Sequence, residues 1–354
     1  MKNVRVFIDS NNFYYRILFA SKLSLKLETQ EIQDAYYESL CKSLYNLLSK
    51  FYSAKELYFI KDSFSWRKKI TAGYKESRKT GVSSDIDFEK MSLVQMRFEE
   101  FIKKIDGSIV EVPSCEADDI IFYKISSDTG CFDIIVSADK DFRQLLSGKC
   151  IQYDCVKNEV LYSDSLVKRD IDDILAETVS GKYSMNPVHP DREAALKVIC
   201  GCPSDEVPGI PGIGEVKFGK IYDELSSMSK YDGGNVLDML RFDISACSKV
   251  ISPYLKGKFS LDEEKVSEII KRNLQLVILQ AWSVPQEIFE SMKSSEQANV
   301  VSDYRILPAK VFFYKNAGIW KEKEQQDRDT NISNSFASLL GSVKHDNDMS
   351  FIKD

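Results

Sequence analysis

Four short runs rich in β-forming residues punctuate the first 141 positions: 4–9 (VRVFID), 56–62 (ELYFIKD), 108–116 (SIVEVPSCE) and 132–141 (FDIIVSADKD). The segments between them are longer and of helical character, notably 31–51 and 93–105. In the latter, Met96, Phe98, Phe101, Ile102 and Ile105 read as the apolar face of an amphipathic helix. Strands alternating with helices predict a parallel sheet. The carboxyl ends of parallel strands share one edge, where open α/β folds bind their ligands. Each run delivers an acid there: Asp9, Asp62, Glu116, and the pair Asp139 and Asp141.

The third run opens into EADD, 116–119, with three carboxylates in four positions. Two like charges about 5 Å apart repel by roughly 3 kcal/mol at an effective dielectric of 20. A solvated helix start tolerates such crowding, since acids suit the first turn of a helix. The acids at the ends of the other strands point instead to a cation site. Helical spacing puts Glu116 and Asp119 on one face, with Asp118 turned aside but reaching the same rim. Hard carboxylate oxygens select Mg²⁺ or Mn²⁺. Paired divalent ions at an acid-lined edge serve phosphoryl transfer.

Composition narrows the chemistry further. The 354 residues include only two histidines, His189 and His345, so histidine acid–base chemistry is not expected. Eight cysteines without a C-x-x-C pair suit a reducing cytoplasm. No apolar run approaches the ~20 residues of a membrane helix, and no signal peptide opens the chain. The net charge of −6 argues mildly against nucleic acid but conceals a local patch. RKKITAGYKESRK, 67–79, sets six basic residues against one acid, either as a solvated helix face or as a grip on phosphate. A second constellation follows at 201–214, GCPSDEVPGIPGIG, between predicted helices 191–200 and 215–225. Gly209, Gly212 and Gly214 permit a tight hairpin. The next helix N-terminus, with Lys217 and Lys220, suits sequence-independent contact with a duplex backbone; an ordinary turn is the alternative.

Taken together, VFIDSNN, Asp62 with WRKKITAGYKESR, EADD, SADKDFRQL and GCPSDEVPGIPGIGEVK occur in the order of one family and span about 4–220. KRNLQLV, 271–277, continues the likeness. The chain resembles the 5′-nuclease (flap endonuclease) family, which takes in phage 5′-exonucleases, T-even-phage-type ribonuclease H and the 5′-nuclease domain of bacterial DNA polymerase I. The resemblance implies an α/β fold: a PIN-like parallel-sheet nuclease domain (1–188) with a helical arch (about 67–100), then a helical domain (189–320) with a helix–three-turn–helix element. The charged and polar stretch 321–354 itself reads as a flexible tail with the apolar motif Phe336, Leu339 and Leu340, either a helix packed on the body, a docking peptide for a replication partner, or plain disorder.

The same resemblance implies a two-metal site for Mg²⁺, with Mn²⁺ able to substitute. Asp9, Asp62, Glu116 and Asp118 would hold the first ion, and Asp119, Asp139, Asp141 and Asp205 the second. Lys75 and Arg78 would act on the scissile phosphate, with Arg67 in the same wall and Tyr74 stacking on a base or packing the arch. Gly209, Gly212 and Gly214 would hold K⁺ against duplex phosphate beside Lys217 and Lys220. The implied substrates are DNA with a 5′ flap, nick or RNA primer. The implied activity is 5′-3′ exonuclease, flap endonuclease and RNase H during replication, beside a separate polymerase. A single-strand-binding protein or sliding clamp would dock on the tail of a monomer in the cytoplasm, the host's if the chain is phage-encoded. A PIN-class single-strand ribonuclease and a non-catalytic DNA-junction-binding protein are the alternatives. One departure stands out. Cys202 occupies the place of a family acid three residues before Asp205, so the second site is weaker, or Glu206 or a water fills the gap.

Overall fold

The computed structural model describes residues 3–51, 54–71, 73–76, 85–105, 107–127, 130–232, 234–255 and 261–295. Arg78, with residues 72 and 77–84 of the expected arch, and the expected tail motif lie outside the described residues. The first part of the chain runs β1 (Asn3–Asp9), α1 (Ser10–Ala20), α2 (Gln30–Lys50), β2 (Glu56–Lys61), α3 (Phe88–Lys104), β3 (Ser108–Glu111), α4 (Ala117–Ser127), β4 (Cys131–Val136), β5 (Cys150–Asp154), β6 (Glu159–Ser163), α5 (Lys168–Thr178) and β7 (Ser184–Val188). The seven strands form one sheet in the order β3-β2-β1-β4-β5-β6-β7. Neighbours are parallel from β3 to β5; β6 runs antiparallel to β5, and β7 parallel to β6.

The central strands are buried on both faces, as a parallel sheet covered by helices requires. Val4, Val6 and Ile8 point into a core shared with α1, α2 and α3; Phe7, Tyr58, Ile60 and Ile135 point into the opposite one, shared with α4. The stripe of α3 is Met91, Val94, Phe98, Phe101 and Ile102, whereas Met96 is 60% exposed. Spacings of three and four residues make one face; Met96 falls off that register, so its expected place in the core is corrected. The third β-rich run is also shorter than expected. It stops at Glu111, and a turn with Ser114 at φ 64° carries the chain to α4.

A second core begins after β7. It is built from α6 (Pro190–Cys200), the two-residue strands β8 (Gly201–Cys202) and β9 (Val207–Pro208), α7 (Glu215–Asp232), α8 (Val236–Phe242), α9 (Ile244–Ile251) and α10 (Glu263–Val277). Antiparallel pairing of β8 with β9 forms the hairpin between α6 and α7. Gly209 packs so tightly on the end of α6 that a Cβ would lie 2.1 Å from the Cys200 carbonyl carbon, and Gly212 takes φ 80°. The chain then returns to the sheet. Leu279, Val284 and α11 (Gln286–Ser294) pack on α4, with Phe289 edge-on to Tyr123 at 5.1 Å. Leu279, Val284, Ile288 and Met292 therefore share the core of the sheet domain, whereas Trp282 packs against that of the helical one.

Candidate active site

The carboxyl edge of β1, β2 and β4 and the start of α4 enclose a cleft of about 640 Å³. Six carboxylates line it: Asp9, Asp62, Glu116, Asp118, Asp139 and Asp141; so does the ammonium-bearing side chain of Lys75. Asp9 ends β1 and caps α1, accepting from the Asn12 amide at 3.2 Å and from Ser137 Oγ at 2.9 Å. Asp62 follows β2 and accepts from Asn11 Nδ2 and the Ala117 amide. Asp139 caps a 3₁₀ turn, accepting from the Asp141 amide at 2.9 Å.

These acids disturb one another. Burial and the nearby Asp62 push the Asp9 carboxyl up to about 7. Burial and Asp141 push Asp139 up to about 6. Asp62 and Asp118 are also raised, burial being the largest cause for each. Glu116 goes the other way. Burial alone would raise it, but Lys75 and Arg67 hold it down at about 2. Lys75 Nζ bonds Glu116 Oε1 and lies 3.6 Å from Asp205. Its backbone is left-handed, φ 55°, and its amide donates to the Asp205 carbonyl at 3.1 Å. That loop conformation turns the ammonium towards the acids. Converging hard oxygens, several of them strained towards protonation, are a donor set suited to Mg²⁺ or Mn²⁺.

The crowding in EADD is resolved from behind. Arg67, only 1% exposed, donates Nη2 to Asp119 Oδ1 at 2.8 Å and Nη1 to Asp119 Oδ2 at 2.9 Å. Nη1 also reaches Glu116 Oε2 at 3.0 Å, and Nε reaches the Leu276 carbonyl at 2.9 Å. Asp119 accepts in addition from Trp66 Nε1 and from the Glu116 amide, both at 3.1 Å. Because α4 starts at Ala117, Glu116 is the cap and Asp119 folds back onto its amide, as in a capping box. Asp118, expected at the first ion, lines the cleft, whereas Asp119, expected at the second, is fully buried behind it. Arg67 is an internal clamp tying α4 to α10, with its donors turned inward, and does not form part of a nucleic-acid wall. Tyr74, 2% exposed, belongs to the helical core and donates its hydroxyl to Glu116 Oε2 at 2.9 Å, so its ring packs and offers no stacking face.

Asp205 is buried beside Asp141 and Cys202, their possible ligand atoms within 4.8 Å of one another; Glu116, Asp118 and Asp119 form a similar group. Asp119 thus sits with the acids expected at the first ion, away from Asp139, Asp141 and Asp205. Burial, with Asp141 and Asp205 nearby, pushes the Cys202 thiol up to about 11, and its Sγ donates to Asp205 Oδ2 at 3.4 Å. Glu206 spends a carboxylate oxygen on the Glu76 amide at 2.7 Å. At the hairpin, Lys217 Nζ caps the carbonyls of Gly212 and Tyr254 at 2.9 and 3.0 Å, while Lys220 is exposed. Gly214 has open space where a Cβ would stand.

Residues not singled out from the sequence complete the site. Lys197 of α6 pairs with Asp141. Tyr15 and Phe19 stack at 6.4 Å on the cleft wall, with Phe19 48% exposed. Their i,i+4 spacing on α1 was the available signal. Nothing in the sequence marks Lys197, whose partner is brought to it only by the packing of α6.

Residues 5–172 match the family model described as 5′-3′ exonuclease, N-terminal resolvase-like domain. The chain is 27% identical over 224 residues to thermostable DNA polymerase I of Thermus aquaticus, covering 62% of this chain and 24% of that one. It is 27% identical over 214 residues to a 5′-3′ exonuclease of Buchnera aphidicola, covering 59% and 66%. With a 5′-3′ exonuclease of Aquifex aeolicus it shares 25% over 308 residues, covering 83% and 98%. The chain thus spans about a quarter of the polymerase relative's length. Among solved structures, T5 5′-exonuclease with bound zinc shares the fold at TM-score 0.52 and 20% identity, covering 82% of this chain and 97% of that one. A phage T5 flap endonuclease complex with DNA and metal ions does so at 0.52 and 19%, covering 82% and 97%.

Proposed function

On the premise that the chain belongs to the 5′-3′ exonuclease family, we propose that it is a divalent-metal-dependent 5′-nuclease that hydrolyses phosphodiesters near the 5′ ends of flapped, nicked or primer-bearing duplexes. The observation that carries this reading is the convergence of six carboxylates and Lys75 on one cleft at the carboxyl edge of a parallel sheet. Asp9, Asp62, Glu116 and Asp118 would hold one cation, and Asp139, Asp141 and Asp205 a second. Bound there, Mg²⁺ or Mn²⁺ supplies charge neutralisation at the phosphate and activation of water.

The remaining work falls to side chains. Lys75 faces the cleft from a fixed loop and donates to a non-bridging phosphate oxygen, where negative charge builds in the transition state. Tyr15 and Phe19 offer aromatic surface beside the acids for a base next to the cleaved bond. Neutral Cys202 contributes no charge to the second position, so that position binds its cation less tightly than the first. The hairpin before α7, with Lys220, meets duplex phosphates in a sequence-independent way, and Gly209, Gly212 and Gly214 there would hold K⁺, which would supply positive charge to the duplex phosphate. Removal of RNA primers during replication and RNase H activity follow from the same cleft.

The test is a product-length assay on a 5′-labelled flap and on an RNA·DNA hybrid, with and without Mg²⁺. Short 5′ products that require Mg²⁺ are expected. Equal cleavage of unstructured RNA would replace this reading with a single-strand ribonuclease.

A further inference from the structure

The turn that follows β4, residues 137–139, ties two of the cleft acids together from behind. Ser137 Oγ donates to Asp9 Oδ2 at 2.9 Å and accepts from the Asp139 amide at 3.0 Å. The Ala138 amide donates to Asn12 Oδ1 of α1 at 3.2 Å, and the Ser137 amide to the Tyr153 carbonyl of β5 at 3.2 Å. Two carbonyls of the same turn are met by one side chain. Gln152 of β5 donates Nε2 to the Ser137 carbonyl at 2.9 Å and to the Asp139 carbonyl at 2.6 Å.

Glutamine is a costly residue for this position. All five residues of β5 are buried, and Gln152 is 0% exposed. A buried amide is expensive unless its polar atoms are paired, and Gln152 Oε1 has no hydrogen-bond partner among the described residues. Only the nitrogen end can meet two carbonyls, so the oxygen is the end left over. An apolar residue would suit the strand better; what the glutamine adds is a fixed turn. Such a break with local packing rules is expected where a site needs support. Gln152 does not line the cleft, so it acts on the chemistry only through the turn.

We propose that Gln152 is a positioning residue: with Ser137 as its relay, it holds Asp9 and Asp139 in fixed relation to one another. The linkage runs across three adjacent strands, β1, β4 and β5, with the turn in the middle. It rests on the nuclease reading, in which Asp9 serves the first cation and Asp139 the second, so that one turn couples the two positions. Without the amide, both carbonyls lose this donor. The turn can then shift, taking Asp139 with it and loosening Ser137 from Asp9.

Three variants of the full chain test it. Gln152→Met removes both donors at nearly constant volume. Ser137→Ala removes the relay and leaves β5 untouched, whereas Ser137→Thr keeps the hydroxyl. Melts in EDTA set a temperature at which each variant is folded. Mn²⁺ alone is then titrated calorimetrically without DNA, and kcat and KM are measured on a 5′-labelled flap at one fixed Mg²⁺ concentration. Gln152→Met and Ser137→Ala are expected to weaken Mn²⁺ binding and to lower kcat by about 10–100-fold, the usual cost of removing a group that orients a metal ligand. KM and DNA affinity in EDTA should change little, and Ser137→Thr should restore both losses. A merely structural glutamine would lower the melting temperature and leave the Mn²⁺ affinity and kcat of the folded protein unchanged, which would overturn the proposal. If Gln152→Met does not fold, the Ser137 pair decides: no difference between the alanine and threonine variants would overturn the relay. Weaker Mn²⁺ binding in variants of a chain that cleaves no flap would support the positioning role and remove only the nuclease reading. Normal flap cleavage with unmoved Mn²⁺ affinity in the variants would do the reverse.

Discussion

Replacing Arg67 by methionine separates a structural clamp from a phosphate grip. The side chain is 1% exposed and holds Asp119 through two nitrogens, Glu116 through one and the Leu276 carbonyl through a third. Methionine fills much of the volume but strands two buried carboxylates. Removing one partner of a buried ion pair costs about 3–5 kcal/mol, because the other charge remains in a poor medium. With an unfolding entropy of about 2.1 cal/mol/K per residue, each kcal/mol lowers the Tm of a 354-residue chain by about 1.3 °C, so a fall of about 4–7 °C is expected. Arg67→Met with Asp119→Leu should recover only part of this, since Trp66 Nε1 and the Glu116 amide then lose their acceptor. Thermal unfolding followed by circular dichroism reads the stability. Salt-dependent DNA binding, measured well below the lowered Tm, reads the other role. Its slope should be unchanged, whereas one lost phosphate contact would flatten it by about 0.9. A Tm within about 2 °C of wild type, together with a flatter slope, would refute the clamp.

Three further outcomes follow. Lys75→Ala should lower kcat at saturating substrate by more than it weakens binding, because its charge acts on the developing phosphate charge; an effect on KM alone would reduce it to a binding contact. Asp9 and Asp139 sit above their ordinary values when folded, so the folded state holds more protons between about pH 4 and 7 and the metal-free protein loses stability as pH rises through that window. Glu116, held low, acts oppositely and loses its contribution as pH falls from about 4.5 towards 2. Mg²⁺ should therefore raise Tm more at pH 7.5 than at pH 5, and an equal or smaller rise would contradict the acid cluster as its site. Cys202→Asp should lower the Mg²⁺ concentration for half-maximal cleavage and raise the Mn²⁺ bound without substrate, while Glu206→Gln should shift neither, since its carboxylate serves the Glu76 amide; the reverse pattern would place Glu206 at the ion.

The architecture was legible because parallel strands bring their acids to one edge whatever the loops do. Asp9, Asp62 and Asp139 could be placed by counting from strand ends. The fine positions within EADD were not, because they depend on where α4 begins. Each residue of shift turns a helix by about 100°, and with Glu116 as the cap it is Asp118 that faces the cleft. Arg67 read as part of a basic surface because charge patterns do not reveal burial; its partners lie 49, 52 and 209 positions away. Lys197 was hidden for the same reason, its partner Asp141 lying on a separate element. Met96 shows the limit of apolar content as a signal without strict register.

The most direct measurement pairs binding with cleavage on one 5′-labelled flap duplex, comparing wild type with Asp118→Asn. The wild type should release short 5′ products only when Mg²⁺ is present. Asp118→Asn removes one anionic oxygen from the cleft, so cleavage should be abolished while DNA is bound as tightly as before or more so, phosphate repulsion having been relieved. Equal loss of binding and cleavage would make Asp118 a structural residue, and undiminished cleavage would remove the acid cluster from the chemistry.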